Sequence, residues 1–128
     1  MLQNVFFISV GASLGALLRW VLGLAFNRAI PMIPLGTLLA NLSGGYCIGV
    51  MLGVVAAFPQ FPDGMRLFII TGFLGALTTF SSFSGEVVLL IQQRHILAAL
   101  ILIALHLLGS LAMTGLGILT AMLFVRTG

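Results

Sequence analysis

TGFLGALTTFSSFSG, residues 71–85, decides how this chain folds. Nine of the fifteen residues are Gly, Ser or Thr, and the run lies inside an apolar stretch long enough to cross a bilayer. Lipid offers backbone groups no hydrogen bonds, so a spanning segment stays helical unless its freed N–H and C=O groups face protein, water or an ion. The run weakens a helix where the bilayer demands one. It predicts a break at mid-membrane, around Thr78 and Thr79, and marks a candidate permeation site.

Outward from this run the chain is apolar almost throughout. It is 61% hydrophobic, with five arginines and two acidic residues among 128. With a mean hydropathy of +1.29, it has too little polar surface to cover a soluble globule. A spanning helix takes about 20 residues, so the length predicts an all-α membrane protein, a single four-helix transmembrane domain over residues 1–128. The expected spans are 4–26, 36–57, 66–91 and 96–125. Two prolines break 27–35, PQFPD breaks 58–63, and 92–95 is a short polar turn. The start MLQN lacks the basic region of a secretory signal, and the first span reads as retained. Cys47, the one cysteine, offers neither an intrachain disulfide nor a cysteine metal motif and reads as packing.

Arginine placement matters more than arginine number. Arg66 and Arg126 fall on one side of a four-span chain, and Arg28 and Arg94 on the other. Two against two leaves no positive-inside bias, so copies are expected to insert both ways and pair as an antiparallel homodimer of dual topology. The arginines are dispersed and form no basic face, so nucleic acid is not an expected partner. The two-fold axis of such a pair lies in the membrane plane, and only mid-depth residues meet their symmetry mates. Broken helices crossing there would offer carbonyl oxygens, hard ligands that suit an alkali cation. With no carboxylate nearby, a monovalent ion is expected.

Small residues in membranes most often serve close helix packing. Gly11, Gly15 and Gly23, and Gly45, Gly49 and Gly53, recur at multiples of four and read that way. Phe80 and Phe83 are three apart and project from nearly one helix face. Their positive ring edges can hold a small anion, and Thr79, Ser81, Ser82 and Ser84 can donate along the same route; the plain alternative is two lipid-facing rings. Asn41 is an amide donor or interhelical glue. His106, Ser110 and Thr114, spaced by four, form a polar stripe. Alternatively, the hydroxyls bond their own helix and the imidazole is neutral and satisfied. Glu86 is the one acidic residue within a span and a functional candidate for that reason.

Four ordered segments, GASLGALLRW (11–20), GTLLANLSGG (36–45), TGFLGALTTFSSFS (71–84) and GSLAMTGLG (109–117), resemble the Fluc (CrcB) fluoride channels of bacteria over essentially the whole chain. The resemblance implies an antiparallel homodimer in the bacterial inner membrane, with two fluoride pores and one structural sodium ion on the dyad. The carbonyls of Gly75 and Thr78 would hold the sodium. Phe80 and Phe83 would line the fluoride path with Asn41 as donor, Ser110 would belong to a polar motif of the fourth helix, and Ser81, Ser82 and Glu86 would extend the track; His106 and Arg19 carry roles less well defined. Ala76 and Ser82 depart from the commonest family pattern, but a carbonyl ligand does not depend on its side chain and serine keeps the hydroxyl.

Two other classes compete. A dual-topology exporter of cationic drugs in exchange for protons needs a membrane carboxylate, for which Glu86 is the candidate, though in the third span rather than the first. A structural subunit without transport would need none of the aligned Phe, Asn and Ser residues. An enzyme is the weakest reading, since no paired nucleophile and base, metal cluster or phosphate loop appears at usable spacing.

Overall fold

A computed structural model describes residues 1–127; Gly128, the last residue of the expected domain, lies outside them. The chain is helical, with α1 (Leu2–Phe26), α2 (Leu35–Ala57), α4 (Phe80–Gln92) and α5 (Ile96–Thr127) as regular α-helices. Between α2 and α4 runs α3, made of the turn Asp63–Arg66, a wide π-helical stretch Leu67–Leu74 and a last turn Gly75–Leu77. Four segments, Leu2–Phe26, Leu35–Ala57, Asp63–Gln92 and Ile96–Arg126, are long and apolar enough to cross a membrane. They lie within three residues of the expected spans. The π-helical stretch is a departure: nothing in LFIITGFL marks it, and it widens each turn just ahead of the interruption.

Prolines punctuate the helices. Pro34 has ψ 92 ahead of α2. Phe58, which precedes Pro59, is forced out of the helical region to φ −124, ψ 81 and ends α2. Pro62 opens α3, whose first turn carries an Asp63–Arg66 ion pair at 3.0 Å. The turn after α4 is closed differently. Arg94 adopts φ 64, its N–H reaches the Ile91 carbonyl at 3.0 Å, and the His95 N–H reaches Leu90 at 2.8 Å. That is the helix-ending pattern usually built around glycine.

The break at Thr78 and Thr79 changes which neighbour the third span packs on. Both residues are extended, at φ −86, ψ 154 and φ −152, ψ 120. Before them α3 lies along α1; after them α4 lies along α5. Helix α2 sits between, touching α1 and packing most closely on α5. The α2–α5 seam is built on absent side chains: a methyl on Gly49 would overlap the Thr114 carbonyl, so the two backbones approach as closely as glycine allows. Gly15 does the same for α1 against Phe73 of α3. Two small apolar clusters flank the break, Ala40 with Leu74 and Leu77 on one side and Phe83, Val87, Leu90, Ala99 and Leu102 on the other. Cys47 is exposed rather than packed in the core. Long apolar side chains also face outward, as at Leu97 and Leu111, each 72% exposed, as expected of a surface meeting lipid or another chain.

Candidate ion pathway at the helix break

Interrupting a helix frees backbone groups, and here their partners can be named. The Thr79 N–H, which would have bonded Gly75 in a continuous helix, donates to Asn41 Oδ1 at 2.8 Å. Asn41 Nδ2 donates back to the Thr79 carbonyl at 3.0 Å. One side chain of α2 thus pairs with both backbone groups of an extended residue, as a neighbouring strand would. The Thr79 hydroxyl accepts from the Ser82 N–H at 3.1 Å and caps α4, while Thr78 closes α3, its N–H and hydroxyl both donating to the Leu74 carbonyl. From α1, the Arg19 guanidinium donates through Nε to the Ala76 carbonyl at 3.0 Å, a cation placed at the negative end of a helix. The Gly75 and Thr78 carbonyls accept no cap, loop or side-chain hydrogen bond among the described residues.

An open groove of about 430 Å³ runs past this break. Asn41, Gly75, Thr78 and Thr79 line it together with Phe80, Phe83, His106 and Ser110, and Gly44 and Gly45 with apolar Ile48, Ile70, Leu74, Leu107 and Leu111 complete the wall. Phe80 and Phe83 share a face, as their spacing requires, with centroids 5.6 Å apart in an edge-to-face pair. They are not equivalent. Phe80 is 71% exposed, whereas Phe83 is buried and stacks on the His106 ring at 4.4 Å.

The remaining candidates fall elsewhere. Ser82 and Glu86 face a second recess of about 570 Å³, shared with Arg19, Asn27, Arg28 and Thr37. Glu86 Oε2 accepts from the Thr37 hydroxyl at 2.7 Å, and its Oε1 is buried without a hydrogen-bond partner among the described residues. Ser81 is exposed, its hydroxyl 3.3 Å from that of Thr79; Ser84 bonds back to the Phe80 carbonyl. Thr114 leaves the expected stripe: its hydroxyl donates across the seam to the Gly45 carbonyl at 3.0 Å, so it joins helices rather than lining the groove. The structure adds Thr37, which the sequence reading passed over although it stands four residues before Asn41 on the same face of α2.

No group of three or more His, Cys, Asp or Glu side chains that could hold a metal ion occurs among the described residues. Four apolar spans, one bent at mid-length beside a groove with aromatic and polar walls, define a multi-pass membrane protein.

The chain belongs to the CrcB-like protein (Camphor Resistance, CrcB) family, whose profile matches residues 6–118. It is 56% identical over 127 residues to the fluoride-specific ion channel FluC of Tolumonas auensis, covering 99% of this chain and all of that one. It is 53% identical to the protein of the same name from Pseudomonas syringae pv. maculicola, over 94% of each chain. It is 54% identical to that of Haemophilus influenzae, over 91% of each. These relatives bear the name of a channel, a transport protein and not an enzyme.

Proposed function

We propose that this protein is a fluoride-selective channel that lets cytoplasmic fluoride leave passively across the bacterial inner membrane. The observation that carries the reading is the Asn41-clamped break with the Phe80–Phe83 pair on one groove, in a chain alike over its full length to proteins named as fluoride-specific channels. Fluoride is small and strongly hydrated, so its path must replace water with donors while holding the ion weakly enough to release it. The groove offers the Ser110 hydroxyl, the His106 ring and the positive edges of Phe80 and Phe83; beyond them Ser81, Ser82 and Glu86 extend the polar surface of α4. An interior-negative voltage supplies the drive, about 2.3 kcal/mol per charge per 100 mV.

The working unit in this proposal is an antiparallel homodimer of oppositely inserted copies, in keeping with the balanced arginines. A structural sodium ion at its centre would be held by the Gly75 and Thr78 carbonyls. The fit is favourable, because both line the groove, accept no competing cap or side-chain hydrogen bond and are the hard oxygen donors such an ion prefers. When bound, the ion would make the surroundings more attractive to anions. Purified protein in sealed vesicles loaded with fluoride or with chloride tests the function: fluoride should leave rapidly, chloride should stay, and Phe80→Ala and Phe83→Ala should each slow the efflux. A fluoride leak no faster than from protein-free vesicles would remove the channel reading. C-terminal reporters found on one side of the membrane only would remove dual topology.

A further inference from the structure

The hydrogen bonds of Asn41 settle which nitrogen of His106 carries the proton. The Thr79 N–H can only donate and the Thr79 carbonyl only accept, and they meet Asn41 Oδ1 and Nδ2 at 2.8 and 3.0 Å. Turning the amide over would set donor against donor and acceptor against acceptor, so its orientation is fixed. The third contact, Nδ2 to His106 Nδ1 at 2.9 Å, then uses the second amide hydrogen, and Nδ1 must present its lone pair. The neutral ring carries its hydrogen on Nε2. That nitrogen is buried, on a residue 3% exposed, and has no hydrogen-bond partner among the described residues.

A buried N–H without a partner is costly and calls for an occupant. One face of the imidazole is covered by Phe83. Ser110, one turn along α5 in the same groove, has a hydroxyl that makes no side-chain hydrogen bond among the described residues and can donate. The imidazole N–H and the Ser110 hydroxyl are thus two uncommitted donors on one groove, a pairing that suits a species that only accepts, an anion.

We propose that Asn41 is a positioning residue that holds His106 in its Nε2–H form, and that this N–H is a fixed hydrogen-bond donor to the halide passing Phe83. The proposal rests on the channel reading. Both Asn41 amide hydrogens are committed to protein, so its contribution is to aim a donor rather than to be one. Nε2 is buried, so the contact forms as its surroundings shift to admit the ion.

The test is nitrogen-15 NMR of the histidine rings in lipid-reconstituted protein, with His106 assigned by its loss in His106→Gln. One protonated nitrogen, Nε2, and one bare nitrogen, Nδ1, are expected. The Nε2–H signal should move with sodium fluoride and not with sodium chloride, and Asn41→Ala should let both tautomers appear. In vesicles, His106→Gln, whose amide reaches the position of Nε2, should keep most of the fluoride efflux. His106→Asn, which reaches only Nδ1, and His106→Leu should lose about tenfold or more, the effect of removing one hydrogen bond to a charged group. A proton on Nδ1 overturns the tautomer assignment. An Nε2–H signal indifferent to fluoride in protein that conducts overturns the donor role and leaves the channel standing. Vesicles that do not conduct overturn the channel reading, and the donor role with it, while the ring spectrum still decides the tautomer.

Discussion

Replacing Asn41 with alanine removes three hydrogen bonds at once, two to the Thr79 backbone and one to His106. Side-chain hydrogen bonds inside membrane proteins average only about 0.6 kcal/mol each, because the unfolded chain in lipid finds other partners. Three of them set a floor of about 2 kcal/mol. The Thr79 N–H and C=O have no second partner within the break, and a buried backbone group left unpaired costs about 1–3 kcal/mol. The groove beside Thr79 is open and admits some water, which moderates that penalty. A loss of about 2–4 kcal/mol is therefore expected. Asn41→Asp sharpens the test: it keeps an acceptor for the Thr79 N–H but sets oxygen against the Thr79 carbonyl and His106 Nδ1, so a near-isostere should do almost as much harm. Reversible unfolding in bicelles measures the stability, and hydrogen exchange at the Thr79 amide, expected to quicken sharply in both variants, reports the break itself. Two variants within about 0.5 kcal/mol of the parent, with Thr79 exchange unchanged, would refute the view that this side chain carries the interrupted backbone.

The α2–α5 seam gives a second expectation: Gly49→Ala should cost about 1–3 kcal/mol, since the new methyl meets the Thr114 carbonyl, while Gly85→Ala, with nothing within 4 Å of its added carbon, should change the subunit's melting temperature little. Arg94→Gly should stabilise by about 0.5–1 kcal/mol, because Arg94 sits at φ 64 where a side chain is strained; a lower melting temperature would contradict that. Glu86→Gln keeps an oxygen for the Thr37 hydroxyl and should leave a slower fluoride efflux. Its complete loss, together with proton-driven uptake of cationic drugs by the parent, would instead favour the exporter reading.

Much of the site was legible because small and polar residues are conspicuous against lipid. The interruption at Thr78 and Thr79 and the shared face of Phe80 and Phe83 both follow from local rules, backbone satisfaction in one case and helical spacing in the other. Thr114 shows where such rules stop. Its four-residue spacing from Ser110 holds, yet rotation of α5 against α2 turns the hydroxyl onto the Gly45 carbonyl. Ser82 and Glu86 likewise share a helix with the two phenylalanines but face another recess, among Arg19, Arg28 and Thr37, because α4 presents those positions on its other side.

The amino-acid order alone determined the solvent, the four spans and the place where the third one yields. Those depend on hydrophobicity and on residues within a turn of one another. Only the packed molecule decided what receives the freed groups: Asn41, thirty-eight positions upstream of Thr79, pairs with its backbone, and Arg19, fifty-seven upstream of Ala76, reaches its carbonyl. It also assigned α3 to α1 and α4 to α5. Such partnerships arise from how separate helices are turned and how closely glycines let them approach, and neither periodicity nor composition carries that information.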